Sequence, residues 1–280
     1  MPRRKKVREA DIRKLLRAGF GAGEGMSYKP WETVHTFSSR GNSHRIHSVK
    51  TGRTHHLFSN IERALFLKAE YGESFVDFQE QRAMEREHTL AIAKLLDIRH
   101  PVFIGTNVPF VMTLDAVVVR RGDDGLLYRE AYDAKETSAL LDPRTLQKLD
   151  VHRAYCEQRG WKHTIVTNDT FPRDVVRNLE WIRMGARKPL EVITVHGLFD
   201  DLPQRMLAEV REKQPHAPVK DYCAGFDEAH GLLRGTGLRV MQVLLWRHHL
   251  TADLSAGPIH LTPVASLLPG RGSNPLRKAA

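Results

Sequence analysis

The sequence predicts an α/β domain, a mixed sheet with flanking helices, followed by a smaller and mostly helical module. Three observations support this. Segments of helical and strand periodicity alternate as helix, strand, hairpin, helix, strand up to about Asp169. Two apolar runs, Val111 to Val119 and Leu126 to Tyr132, flank Gly122-Asp123-Asp124-Gly125, which tolerates positive backbone dihedrals and closes a hairpin. After Asp169 the texture changes to several short helical patterns.

Residues 1–50 are basic and interrupted by Gly and Ser, most turn-like at Ser38-Ser39-Arg40-Gly41-Asn42-Ser43-His44-Arg45. They read as an N-terminal arm or irregular strands that order against a polyanion. The α/β domain spans 51–169. Ser59 and Glu62 form a capping-box start, and the apolar residues up to Lys68 have helical spacing. Phe75 to Gln81 alternates apolar and polar like a half-buried strand, and Thr89 to Leu96 is a short helix ending before His100-Pro101. After the hairpin, Leu146, Leu149, Val151, Ala154 and Tyr155 mark a helix from Asp142-Pro143, with Gly160 as its stop. Trp161 to Asn168 is a strand returning to the sheet.

The second module spans 170–268. Asp169-Thr170-Phe171-Pro172 and Asp200-Asp201-Leu202-Pro203 each start a helix, Gly237 to Leu250 is a third, and a strand pair is expected around Ile259-His260-Leu261-Thr262. Short helices followed by a β-ribbon have a winged-helix-like outline. Residues 269–280 read as a flexible tail.

Composition narrows the class. The chain has 280 residues, 41% hydrophobic and 27% charged, enough for a buried core in a soluble protein. A formal net charge of +10 favours polyanionic partners, nucleic acid first. No apolar stretch approaches the roughly 20 residues of a bilayer span, so no membrane role is expected. Cys156 and Cys223 stand far apart without CxxC partners, which argues against a disulfide framework or cysteine zinc site and fits a reducing cytoplasm.

Asp115 interrupts an apolar strand, and Asp133-Ala134-Lys135 ends the next. A hairpin folded about Asp123-Asp124 sets Asp115 opposite Tyr132 or one residue away, while period-two alternation puts Asp133 and Lys135 on one face. Two carboxylates and an ammonium suit a hard divalent cation, a polarised phosphate and an activated water, the needs of phosphodiester hydrolysis. Asp115 and Asp133 would be metal ligands, with the Ala134 carbonyl completing the shell. Lys135 would orient water or neutralise charge, and would need a lowered pKa to act as a base. Glu62, on the upstream helix, offers a third carboxylate.

Asp115 with Asp133-Ala134-Lys135 matches the D...(D/E)xK core of restriction-endonuclease-like nucleases. The wider motifs are more specific: Thr54-His55-His56-Leu57-Phe58-Ser59-Asn60-Ile61-Glu62, Phe78-Gln79-Glu80-Gln81, Ile98-Arg99-His100-Pro101, Val111-Met112-Thr113-Leu114-Asp115 and Thr145-Leu146-Gln147-Lys148-Leu149-Asp150. In order and spacing they resemble the TnsA transposon endonucleases, well over residues 28 to 185 and loosely beyond. One departure is Asp133, where the best-known member carries glutamine. The resemblance implies a restriction-endonuclease-like catalytic domain in a bacterial, cytoplasmic subunit of a heteromeric cut-and-paste transposase, associated with the nucleoid during transposition. It implies nicking of the 5′ ends of transposon-end DNA with one or two magnesium ions, or manganese in their place. A DDE-type transposase would cut the 3′ ends, and an AAA+ ATPase regulator would contact both, the regulator through the C-terminal domain. Glu62, Asp115, Asp133 and Lys135 are the implied active site.

Blander roles stand beside these. Glu62 serves as the capping partner of Ser59, and Asp133 with Lys135 could be a surface ion pair of little worth. Gln81 and Lys148 are candidates for supporting the site or touching DNA. The pairs His55-His56 and His248-His249 lack the i, i+4 spacing of a helical zinc site and read as structural or surface groups. Competing functions are a non-catalytic subunit bridging DNA and proteins, and a stand-alone restriction or repair nuclease.

Overall fold

A computed structural model describes residues 7–34, 42–186, 198–210 and 215–271. The chain divides into two compact units at Phe171 and Pro172.

The first unit starts with α1 (Glu9–Arg17), where an arm is expected. Ile12 is 1% exposed and packs with Trp31 and Val111, while Arg86 holds Glu9 through two hydrogen bonds. The strong basic composition hides the apolar contacts that anchor this segment. Residues 1–6 and the turn-like 38–41 lie outside the described residues. Strands β1 (His44–His47) and β2 (Thr54–Leu57) pair antiparallel ahead of α2 (Asn60–Tyr71). The Ser59 hydroxyl caps α2 by accepting from the Glu62 N–H at 3.1 Å.

The central sheet contains β3 (Phe75–Ala83), β4 (Thr113–Arg121), β5 (Leu127–Ala134) and β6 (Lys162–Val166) in that order. The β3–β4 and β4–β5 pairs are antiparallel and β5–β6 is parallel. A parallel pair needs a crossover, supplied by α4 (Pro143–Glu157) with Asp142 as its N-cap. Between β3 and β4 lies α3 (Arg86–Leu95). Ile92, Leu114, Val117, Ala131, Val151 and Tyr155 form one core from α3, β4, β5 and α4. Phe66 of α2 stacks edge-on against Phe78 of β3, and His55 of β2 meets both rings.

Strand β3 differs from the half-buried expectation, because Asp77, Gln79 and Glu80 are buried too. The polar positions are covered and satisfied. Arg53 bonds Asp77 at 3.1 Å and the Phe78 carbonyl at 2.6 Å, and His55 Nδ1 bonds Glu80 at 2.8 Å. His55 is therefore structural.

The second unit comprises α5 (Arg173–Arg183), α6 (Leu198–Glu209), α7 (Val219–Ala229), α8 (Thr236–Trp246), β7 (Leu250–Thr251) and β8 (Leu268–Pro269). Helix α8 is the packing centre, with Val240, Met241, Leu244 and Leu245 buried and α5, α6 and α7 against it. Asp227 caps it, accepting from the N–H groups of Gly235 and Gly237 at 2.7 and 2.6 Å. Helix α7 has no counterpart among the sequence expectations, and α6 starts ahead of Asp200 with Pro203 inside it. The strand expected near Ile259 is a 3-10 turn (Ile259–Leu261), since Pro258 and Pro263 flank it. The pairing instead joins Leu250 to Pro269 and Thr251 to Leu268. Pro269 is thus part of a ribbon, and 272–280 lie outside the described residues.

Candidate active site

The β4–β5 register pairs Ala116 with Tyr132, so the next position sets Asp115 opposite Asp133, one residue from Tyr132. Lys135 Nζ lies 2.6 Å from Asp115 Oδ2 and 3.6 Å from Asp133 Oδ1. The Ala134 N–H donates to the same Asp115 oxygen at 2.8 Å. A cleft of about 300 Å³ opens here, lined by Glu32, Glu62, Gln81, Asp115, Ala134 and Lys135 among others. Glu62 reaches it from the first turn of α2, so the capping position and the cleft-lining position are one. Asp133 lies behind this group, 0% exposed, and meets it through Lys135.

Glu62 is 5% exposed, accepting from the Phe58 N–H at 2.9 Å and the Ser59 hydroxyl at 3.2 Å. Burial first, and then the Asp115 charge, push its pKa up to about 8. Burial and Asp115 also raise Glu32. Burial disfavours the Lys135 ammonium, but Asp115 and Asp133 outweigh it and hold its pKa above the ordinary lysine range. Lys135 is therefore a fixed cation, and the lowered pKa a base requires is not there. Burial also opposes ionisation of Asp133, yet the charges of His152 and Lys135, with hydrogen bonds from both histidines, keep it well below the usual carboxylate range.

Sequence reasoning missed those histidines and Glu32. His152 Nδ1 and His163 Nε2 each lie 2.7 Å from Asp133 Oδ2. His152 follows Leu149 at helical spacing on α4, the signal by which it could have been found. His163 and Glu32 carry no such signal. The three donor atoms of Asp133, His152 and His163 lie within 4.8 Å of one another, but the 2.7 Å separations are hydrogen-bond lengths.

Gln81 sits across from Asp115, between the pairs Glu80↔Ala116 and Arg82↔Leu114, with φ at 49°. A non-glycine residue held there stores strain of the kind that gathers at functional sites. Lys148 lies outside this cleft, in a second hollow that shares Lys135 with it.

The donor set fits a hard divalent cation. Asp115, Glu62, Glu32 and the neighbouring backbone offer oxygen only, and Asp133 Oδ1 is buried without a hydrogen-bond partner.

Two family models match in sequence, "TnsA-like endonuclease N terminal" over residues 72–168 and "TnsA endonuclease C terminal" over 171–254. The Transposon Tn7 transposition protein TnsA of Escherichia coli is 40% identical over 236 residues, covering 84% of this chain and 83% of that protein. The chain belongs to the TnsA endonuclease family. The first TnsA model holds Asp115, Asp133, Lys135, His152 and His163, and Glu62 precedes it. Among the described residues of this TnsA-family chain, no helix is long and apolar enough to cross a membrane.

Proposed function

We propose that the chain is the endonuclease subunit of a heteromeric, cut-and-paste transposase. It would cleave the 5′ ends of its element, with Glu62, Asp115, Asp133 and Lys135 as the working group. The observation that carries this is the convergence of Asp115, Glu62 and Lys135 on one cleft with Asp133 against Lys135, in a chain of this family. Family membership supports the partners, a DDE-type transposase and an AAA+ regulator. The second unit, with helices α5 to α8 and the β7–β8 ribbon, would act as a winged-helix-like module that binds DNA or protein.

Asp115, the Ala134 carbonyl, Glu62 and Asp133 Oδ1 would hold magnesium, or manganese, which when bound supplies Lewis acidity and a more acidic water. The chain's own groups divide the remaining work. Lys135 stays protonated and presents positive charge where phosphate charge builds up. Glu62, with its pKa nearest neutrality, takes up or releases a proton as the charge in the cleft changes. His152 and His163 hold Asp133 by Oδ2, which leaves Oδ1, 3.6 Å from Lys135 and without a hydrogen-bond partner, as the oxygen available to the metal. The alternation of charge across so small a space is what binds and orients a phosphodiester.

The test is reconstitution on a donor plasmid carrying transposon ends, with the partner transposase and regulator, in magnesium, manganese or EDTA. Cutting of the 5′ strands is expected only when this chain and a divalent cation are both present. Cutting that persists in EDTA, or without the chain, overturns the proposal.

A further inference from the structure

The second hollow beside Lys135 is built unlike the first. About 250 Å³ in volume, it is lined from the segment before β4, the end of β5 and α4. Its floor is apolar, with Met112 at 3% and Leu149 at 2% exposure, and its wall includes the half-buried Phe110 ring, packed 4.7 Å from Phe103. Its rim is polar and cationic, with Thr145 and the exposed Lys148 beside the shared Lys135. No carboxylate lines it, whereas Glu32, Glu62, Asp115 and Glu136 line the neighbouring cleft.

Helix α4 explains the shape. Thr145, Lys148, Leu149 and His152 recur at spacings of three and four, so one face of α4 turns toward the hollow. A helix face turned into a domain normally forms an apolar stripe. Here threonine, lysine and histidine interrupt it, which suits a face left open for an anionic ligand with a flat apolar part. The volume falls below the roughly 300–1,000 Å³ of sites that enclose a drug-sized molecule, so a single building block of a longer chain fits better.

We propose that this hollow takes one unpaired nucleotide of the DNA strand, adjoining the phosphate held in the cleft, with its base on Phe110 and its phosphate on Lys148. This rests on the nuclease function proposed above. A paired base cannot reach the Met112–Leu149 floor, so the nucleotide leaves the duplex. Stacking on an aromatic face and a lysine contact then replace its pairing. Lys135, common to both spaces, bridges the flanking nucleotide and the reacting phosphate. The strand is thereby set in register with the carboxylates.

The experiment uses the full chain with its transposase partner and end-sequence duplexes carrying 2-aminopurine at each position flanking the cut. One position should brighten on binding. Phe110→Ala should abolish that signal and weaken binding about tenfold. Lys148→Ala should lower the slope of log affinity against log salt by about one, and Lys148→Arg should restore it. Thermal melting confirms that each variant is folded, and Lys148 is exposed enough for its replacement to spare the core. If no position brightens, or if Phe110→Ala and Lys148→Ala both bind and signal like the wild type, the proposal is overturned. Asp115→Ala separates the two ideas, since it should keep the signal and lose cutting. If Asp115→Ala still cuts, the nuclease assignment fails instead.

Discussion

Replacing Glu62 by glutamine should make the protein more stable and less active at once. The Glu62 pKa of about 8 stands against 4.5 for an exposed side chain. Between these values the folded chain keeps a proton that the unfolded chain has released, so stability falls as pH rises, by about 1.4 kcal/mol per pH unit. At pH 7 the loss amounts to about 3 kcal/mol. Glutamine has the same shape, accepts from the Phe58 N–H and donates to the Ser59 hydroxyl, and carries no charge to bury. Urea unfolding of both proteins in EDTA at pH 5, 6, 7 and 8 measures the difference and cancels other titrating groups. The gap should grow from about 1 kcal/mol at pH 5 to about 4 kcal/mol at pH 8, with glutamine the more stable. A gap that stays constant with pH, or a less stable variant at pH 8, would refute the reasoning. Stability gained where activity is lost is the usual mark of a strained working group.

Four further outcomes follow from the geometry. Lys135→Met should lower 5′ cutting by roughly 10²–10³-fold in the reconstituted system, as expected when a preorganised charge at the reacting centre is removed. Replacing His152 by leucine leaves the buried Asp133 with one histidine instead of two, and should cost about 3–5 kcal/mol in urea unfolding. The same change at His163, combined with the first, should cost less than the sum of the two. Gly237→Ala would bring a Cβ within 2.5 Å of the Cys223 carbonyl, so the second unit should lose about 1–3 kcal/mol in thermal or urea unfolding.

Local pattern in the sequence reached the hairpin and its register to within one residue, because turn chemistry and period-two alternation are short-range. The Ser59 cap, the Asp142-Pro143 start and the crossover helix α4 were legible for the same reason. What escaped depends on partners distant in sequence. Asp77 and Glu80 look solvent-facing until Arg53 and His55 fold over them. His163 reveals nothing until β6 pairs with β5 and brings it to Asp133. Glu32 enters the cleft from a segment that composition assigns to a basic arm. Helix α7 is a different case, since Val219, Tyr222, Cys223 and Phe226 recur at i, i+3, i+4 and i+7 and all four are buried, so its local signal was present and was overlooked.

The central claim is that this cleft cuts one strand at each end of the element. Strand-resolved mapping of breaks in the reconstituted reaction, wild type against Asp115→Ala, tests it most directly. The expected result is loss of the 5′ breaks with 3′ breaks by the partner transposase still present. Normal 5′ breaks with Asp115→Ala would contradict the account.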